Sequence, residues 1–284
     1  MIRVANAPCS WGVLEFEGMD EPTGWAQVLD EIRESGYAGT ELGDWDFLPT
    51  DPEILRCELQ HRELDLVGAF VPIPLARPHE ADPTIALKTA HLLAQAGTAP
   101  VIVLADDNGT DPERVACAGR VRADQALEDW ESAAGLVTRI ARSVRDQTGL
   151  RCVFHHHGAG FVETPSEVEA LFSRLDPELV GLCLDTGHWA FGGGDPVAAM
   201  DHWGERIWHV HFKDFDPTRL QGNYFQSVAN GVFCELGQGV VDFPGVLQRV
   251  RDGWIVVEQD VLPGMGSPMR SAQRNRSYLR SLGL

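Results

Sequence analysis

Eight short runs of β-branched and apolar residues recur along the chain, at 3–7, 38–42, 64–70, 100–105, 151–155, 180–185, 207–212 and 254–258. Stretches of helical period lie between them, and that alternation predicts a parallel sheet crossed by helices. Eight units in 284 residues come to about 35 residues each, which fits a closed (β/α)8 TIM barrel better than an open doubly wound sheet. An open sheet of the dinucleotide-binding kind also needs GxGxxG after an early strand. The first run is followed instead by Ala7-Pro8-Cys9-Ser10-Trp11-Gly12. We therefore expect one TIM-barrel domain over 1–284. Helix starts are read at Pro22-Thr23 before 25–35, Asp51-Pro52 before 53–62 and Asp82-Pro83 before 84–96, where a capping side chain or an N1 proline fits the first turn. The longest helix is expected over 124–147. The segment 216–240 has Gly, Asn, Phe and Tyr but no helical period, so it reads as a long loop on the functional face.

The chain has 23 basic and 42 acidic side chains, a net charge of −19. Binding to a phosphate backbone is driven by clustered Lys and Arg, so a nucleic-acid partner is not expected. No apolar run approaches the roughly 18–20 residues of a membrane span, and the start lacks a charged and then apolar leader, so a soluble, cytoplasmic protein is expected. Six cysteines stand singly without a CxxC pair and read as reduced thiols. Histidine is unevenly spread: seven of ten fall between His155 and His211.

A TIM barrel carries its chemistry at the C-terminal ends of its strands, and titratable residues gather there. The second run ends in Glu41, the fourth in Asp106-Asp107, the fifth in His155-His156-His157, the sixth in Asp185 with His188 beyond, the seventh in His209 and His211, and the eighth in Glu258. Period-two alternation turns His155 and His157 to one side and His156 to the other, and pairs His209 with His211. Asp185 also reads as a helix cap, and His209 reads equally as a ligand or as a residue behind one. A carboxylate buried at Glu258 requires a cation or a strong donor. One residue from each of the last four strands gives the nitrogen and oxygen set His155, Asp185, His211 and Glu258, with His157 the alternative to His155. Such a set suits Mn²⁺, Co²⁺, Fe²⁺ or Zn²⁺ better than Mg²⁺ or Ca²⁺.

The tetrad, with Leu184-Asp185-Thr186-Gly187-His188 and His209-Val210-His211-Phe212-Lys213-Asp214, resembles the sugar isomerase/epimerase superfamily of xylose-isomerase-like TIM barrels over nearly the whole chain. The resemblance implies a divalent metal held by Glu, Asp, His and Glu from strands five to eight, at the positions of His155, Asp185, His211 and Glu258. The first position departs, being His. Within the superfamily the chain is similar to the inosose dehydratase family in its Ala7–Gly12 start, His155-His156-His157-Gly158, Phe191-Gly192-Gly193-Gly194-Asp195-Pro196 and the stretch from Gly231 through Gly237-Gln238-Gly239 to Phe243. That likeness implies loss of water from a keto-inositol to give a cyclohexane dione, with Mn²⁺ or Co²⁺ the expected metal. Isomerisation or epimerisation of a keto-sugar is the alternative. In this reading Glu258 or Glu41 takes the α-proton, and His188 or Lys213 holds or protonates oxygens. Trp11, His157, Asp106 and Gln238 are expected against a polyol substrate, and a homo-oligomer is compatible with such barrels.

Overall fold

The computed structural model describes residues 1–13, 23–120, 126–262 and 265–284. Eight strands form a closed, all-parallel barrel: β1 (Ile2–Asn6), β2 (Gly39–Glu41), β3 (Asp65–Ile73), β4 (Val101–Asp106), β5 (Arg151–His155), β6 (Val180–Asp185), β7 (Ile207–Phe212) and, eighth around the ring, Gly253–Val257. Two two-residue strands, β8 (Asp214–Phe215) and β9 (Phe233–Cys234), come before it in the chain and pair antiparallel outside the barrel; the last barrel strand is thus β10. The strands fall where apolar alternation predicts.

The helices start as their sequences dictate. Asp51, Asp82, Asp111, Thr164, Asp195 and Ser267 each stand before a proline and accept a backbone N–H of the first turn. The longest helix runs over Trp130–Thr148 and is capped by Asp129, later than the predicted start at Asp124, which lies outside the described residues, as does Pro22.

Outward-facing strand residues such as Phe154, Leu182, Val210, Phe212, Ile255 and Val257 join the buried faces of the helices in one continuous core. Inward-facing residues form two smaller clusters inside the barrel, one with Ala5, Val67 and Val256, the other with Val103, Val153 and Cys183. The interior is packed with side chains, as is general for such barrels, whose chemistry sits at the C-terminal ends of the strands. At the lower end Trp208 lies so close over Gly181 that a Cβ there would sit 2.2 Å from the indole.

The 216–240 segment is more ordered than its sequence suggests. It holds the β8–β9 ribbon and a helix, Tyr224–Ala229, started by a reciprocal Asn223–Gln226 capping box. Among the described residues no helix is long and apolar enough to cross a membrane.

Candidate metal centre and active site

His155, Asp185, His211 and Glu258 end β5, β6, β7 and β10 and bring four ligand atoms within 4.8 Å of one another. The barrel stagger does this: His155 is in register with Cys183, and Asp185 with His211, so successive strands climb around the axis to one point. His155 Nε2 lies 3.7 Å from Asp185 Oδ2, which lies 4.0 Å from His211 Nδ1; that nitrogen is 3.1 Å from Glu258 Oε1. Metal–ligand bonds of about 2.0–2.2 Å put neighbouring ligand atoms roughly 3–3.5 Å apart, so the spacing is close to that of a coordination sphere.

The decisive feature is what these atoms lack. Both ring nitrogens of His155, Asp185 Oδ2 and His211 Nδ1 are buried without a hydrogen-bond partner. Leaving one buried polar atom unpaired costs about 1–3 kcal/mol, more when it is charged, and three such atoms, His155 Nε2, Asp185 Oδ2 and His211 Nδ1, gathered beside Glu258 call for a cation. A divalent metal fits this donor set. Burial, with the neighbouring His211 charge adding to it, holds the His155 imidazole well below its usual range, neutral and with a lone pair to offer. Burial also pushes the Asp185 carboxyl up to about 7. Asp185 serves two purposes with two oxygens: Oδ1 accepts the His188 N–H at 2.7 Å and caps the helix Thr186–Phe191, while Oδ2 faces the centre.

Glu41 sits beneath the centre. Its Oε1 lies 2.8 Å from His209 Nε2 and 3.2 Å from His211 Nε2, so His209 lies behind His211. Burial raises the Glu41 carboxyl, but the charges and hydrogen bonds of His211 and His209 outweigh it and bring it down to about 2.

Above the centre Lys213 Nζ lies 3.2 Å from Glu258 Oε2, 3.1 Å from Asp260 Oδ1 and 3.3 Å from His188 Nε2. Burial disfavours this ammonium, yet Asp260, Glu258 and Asp185 hold it well above the usual lysine range. Its stem is seated by Gly187, where a Cβ would lie 2.7 Å from Lys213 Cγ. Asp214 is not the partner of Lys213. It accepts N–H groups from Phe215, Gly237, Gly239 and Val241.

One cavity opens onto this cluster, with Glu41, Phe70, His155, His157, Lys213 and Glu258 in its wall. His157 Nδ1 faces its neighbour's carbonyl, Gly158 O, at 2.8 Å, and its ring is 3.9 Å from that of His188, which stands behind it. His188 is fully buried; Gly158 N–H donates to its Nδ1, which leaves the ring proton on Nε2, 3.3 Å from Lys213 Nζ, and burial first, then the His157 and Lys213 charges, keep it neutral. It stands behind His157 and outside the cavity wall, so it is not placed to protonate a substrate oxygen.

Three expected substrate contacts lie elsewhere. Trp11 is buried in the core and donates to Glu31 at 2.6 Å. Asp106 spends one oxygen on Leu75 N–H and the other on Phe161 N–H, tying two loops together. Gln238 is exposed and donates to Glu235, because the glycines on either side of it turn their N–H groups inward to Asp214. Conversely Asp260, Cys9 and Tyr224 line the cavity unanticipated. Asp260 was legible, since period two puts it on the face of Glu258; Tyr224 belongs to the segment read as loop, and nothing marks Cys9.

Comparison with known proteins agrees with the fold. Residues 25–282 match the family described as Xylose isomerase-like TIM barrel. The inosose dehydratase of Geobacillus kaustophilus (strain HTA426) is 30% identical over 298 residues, covering 99% of this chain and 94% of its own length. The rhizopine catabolism protein MocC of Rhizobium meliloti is 32% identical over 290 residues, covering 98% and 87%. The crystal structure of the IOLI protein, which holds a bound zinc atom, superimposes with a TM-score of 0.71 at 14% identity over 99% of this chain and 97% of that one, a likeness of fold. On the closed eight-stranded barrel, the convergence of its last four strand ends and matches over nearly its full length, this chain belongs to the xylose isomerase-like TIM barrel family.

Proposed function

We propose that the chain is a metal-dependent hydro-lyase that removes water from a keto-inositol, 2-keto-myo-inositol, to give a trihydroxycyclohexane dione. The observation that carries the reading is the set of unpartnered donor atoms on His155, Asp185 and His211 beside Glu258, with the Lys213 ammonium 3.2 Å from Glu258 in the wall of the same cavity. The inosose dehydratases among its relatives support the substrate class. His155 Nε2, Asp185 Oδ2, His211 Nδ1 and a Glu258 oxygen would hold the metal, with Mn²⁺ or Co²⁺ preferred and Zn²⁺ or Fe²⁺ acceptable to the donor set. When bound, a divalent ion supplies Lewis-acid polarisation of a carbonyl oxygen and stabilises negative charge that develops there.

The chain's own groups then divide the proton work. Glu258 is the least buried of the four, with 12% of its side chain exposed, and the His211 and Lys213 charges outweigh burial to keep it ionised. It takes the α-proton of the ketone, and the C–H electron pair becomes the enolate. That pair then forms the ring C=C as the β C–O bond breaks, and the Lys213 ammonium, held by Asp260, gives the departing hydroxyl its proton. The enol product becomes the dione. His157 lines the same wall and is placed to contact a hydroxyl. The second reading is a keto-sugar isomerase or epimerase. Exchange of a proton on two faces is best served by opposed carboxylates, and His155 in place of a carboxylate leaves an asymmetric pair, which favours elimination.

Glu258→Gln keeps the size of the side chain but removes the base. It is expected to lower kcat by at least about 10²-fold, the usual worth of a general base, while His155→Ala loses bound metal. Turnover of Glu258→Gln at the wild-type rate, followed by mass loss of one water from 2-keto-myo-inositol, would refute the assignment; an isomer of unchanged mass would favour the second reading.

A further inference from the structure

A buried carboxylate in the barrel is held by two imidazoles. Glu41 is 2% exposed, and one of its oxygens takes both His209 Nε2, at 2.8 Å, and His211 Nε2, at 3.2 Å. The backbone is shaped to put it there. The pairing of β2 with β3 shifts register between Thr40 and Glu41, a bulge-like irregularity that re-aims the side chain at the end of a three-residue strand. Facing it across the pair is Gly68, where a Cβ would stand 2.8 Å from Glu41 Oε1; only glycine leaves room for the carboxylate. Because a carboxylate accepts, the two imidazoles must donate, so both carry their proton on Nε2. For His211 this leaves Nδ1, 3.1 Å from Glu258 Oε1 and 4.0 Å from Asp185 Oδ2, as the nitrogen that would give up its proton and offer its lone pair to a metal.

We propose that Glu41 and His209 form a positioning clamp that fixes the tautomer and ring orientation of His211, so that Nδ1 is presented to the metal. Glu41 is then no proton-transfer group: the oxygen it shares with both rings is committed, and His209 acts by holding that oxygen in place. The inference rests on the metal-centre reading above. Carboxylates placed behind a metal-bound imidazole are a general means of orienting the ligand and raising its basicity.

Cobalt(II) titration of metal-stripped protein, followed by visible absorption, tests the clamp without relying on turnover. Wild type is expected to take up one Co²⁺. Glu41→Gln, which keeps an acceptor but loses the charge, is expected to bind it about 10–100-fold more weakly, with turnover that climbs steeply with added metal. His209→Gln retains an N–H donor to Glu41 and is expected to bind within about threefold of wild type, whereas His209→Leu binds several-fold more weakly than His209→Gln. This second pair decides the matter if Glu41→Gln fails to fold, as judged by circular dichroism. Co²⁺ affinity and spectrum unchanged in Glu41→Gln, with turnover lost at every metal concentration, would make Glu41 a proton-transfer group and overturn the clamp; so would equal affinities for the two His209 variants. Failure of wild type to bind Co²⁺ would refute the metal centre itself, and the clamp with it.

Discussion

Glu163 shows how single buried residues hold the rim of the site. Its carboxyl, 1% exposed, accepts Gly119 N–H on one oxygen and Ala159 N–H on the other, each at 2.7 Å. Ala159 needs that tether, since it is one of three non-glycine residues at positive φ among the described residues, at 62°, in the turn that follows the histidine run. Burial pushes the Glu163 carboxyl up to about 7, against those two hydrogen bonds. An acid whose folded value is raised favours folding fully below its unfolded value of about 4.3, and the contribution is lost as pH rises through about 7. Metal-stripped wild type is therefore expected to lose thermal stability relative to Glu163→Gln as pH rises from about 4.3 to about 7. Parallel midpoint curves for the two proteins would rule that out. At this scale sequence reading found the histidines and acids at the strand ends because alternation alone turns them inward. It misplaced Trp11, Asp106 and Gln238, whose polar atoms are satisfied by Glu31, by loop amides and by Glu235. Such partners are distant or local in ways that spacing does not encode.

At the scale of elements, the eight barrel strands and the helices that begin at Asp51-Pro52 and Asp82-Pro83 were legible because long apolar periods and Asp-Pro starts leave a mark. The β8–β9 ribbon left none, since two-residue strands have no period. What holds it is Asp214, whose two oxygens gather four backbone N–H groups at 2.8–3.1 Å from Phe215 and from the 237–241 turn. Gly239 is required there, as a Cβ would lie 2.4 Å from Asp214 Oδ1. The ribbon in turn carries Phe233 beneath the Lys213 ammonium, 4.9 Å from the ring centre. Asp214→Ala would leave up to four amides without an acceptor and is expected to cost about 2–4 kcal/mol, less than the full sum because a freed turn regains water. Limited proteolysis should then cut within 231–241 while the far-ultraviolet dichroism of the barrel persists. Resistance equal to wild type would show that the ribbon is held by its apolar contacts instead.

For the molecule as a whole, the closed barrel lets four residues from sequence positions 155 to 258 meet at one point, with packed side chains in the interior and a cavity opening onto that point. Net charge of −19 sets the wider field: it favours a cation in the centre and disfavours a phosphate-bearing partner. The central claim is that His155, Asp185, His211 and Glu258 hold a divalent metal without which water is not lost. The direct measurement follows mass and dione absorbance when metal-stripped protein meets 2-keto-myo-inositol with and without added Mn²⁺ or Co²⁺. The account predicts loss of one water only in the reconstituted samples; equal water loss without metal, or none with it, would contradict it.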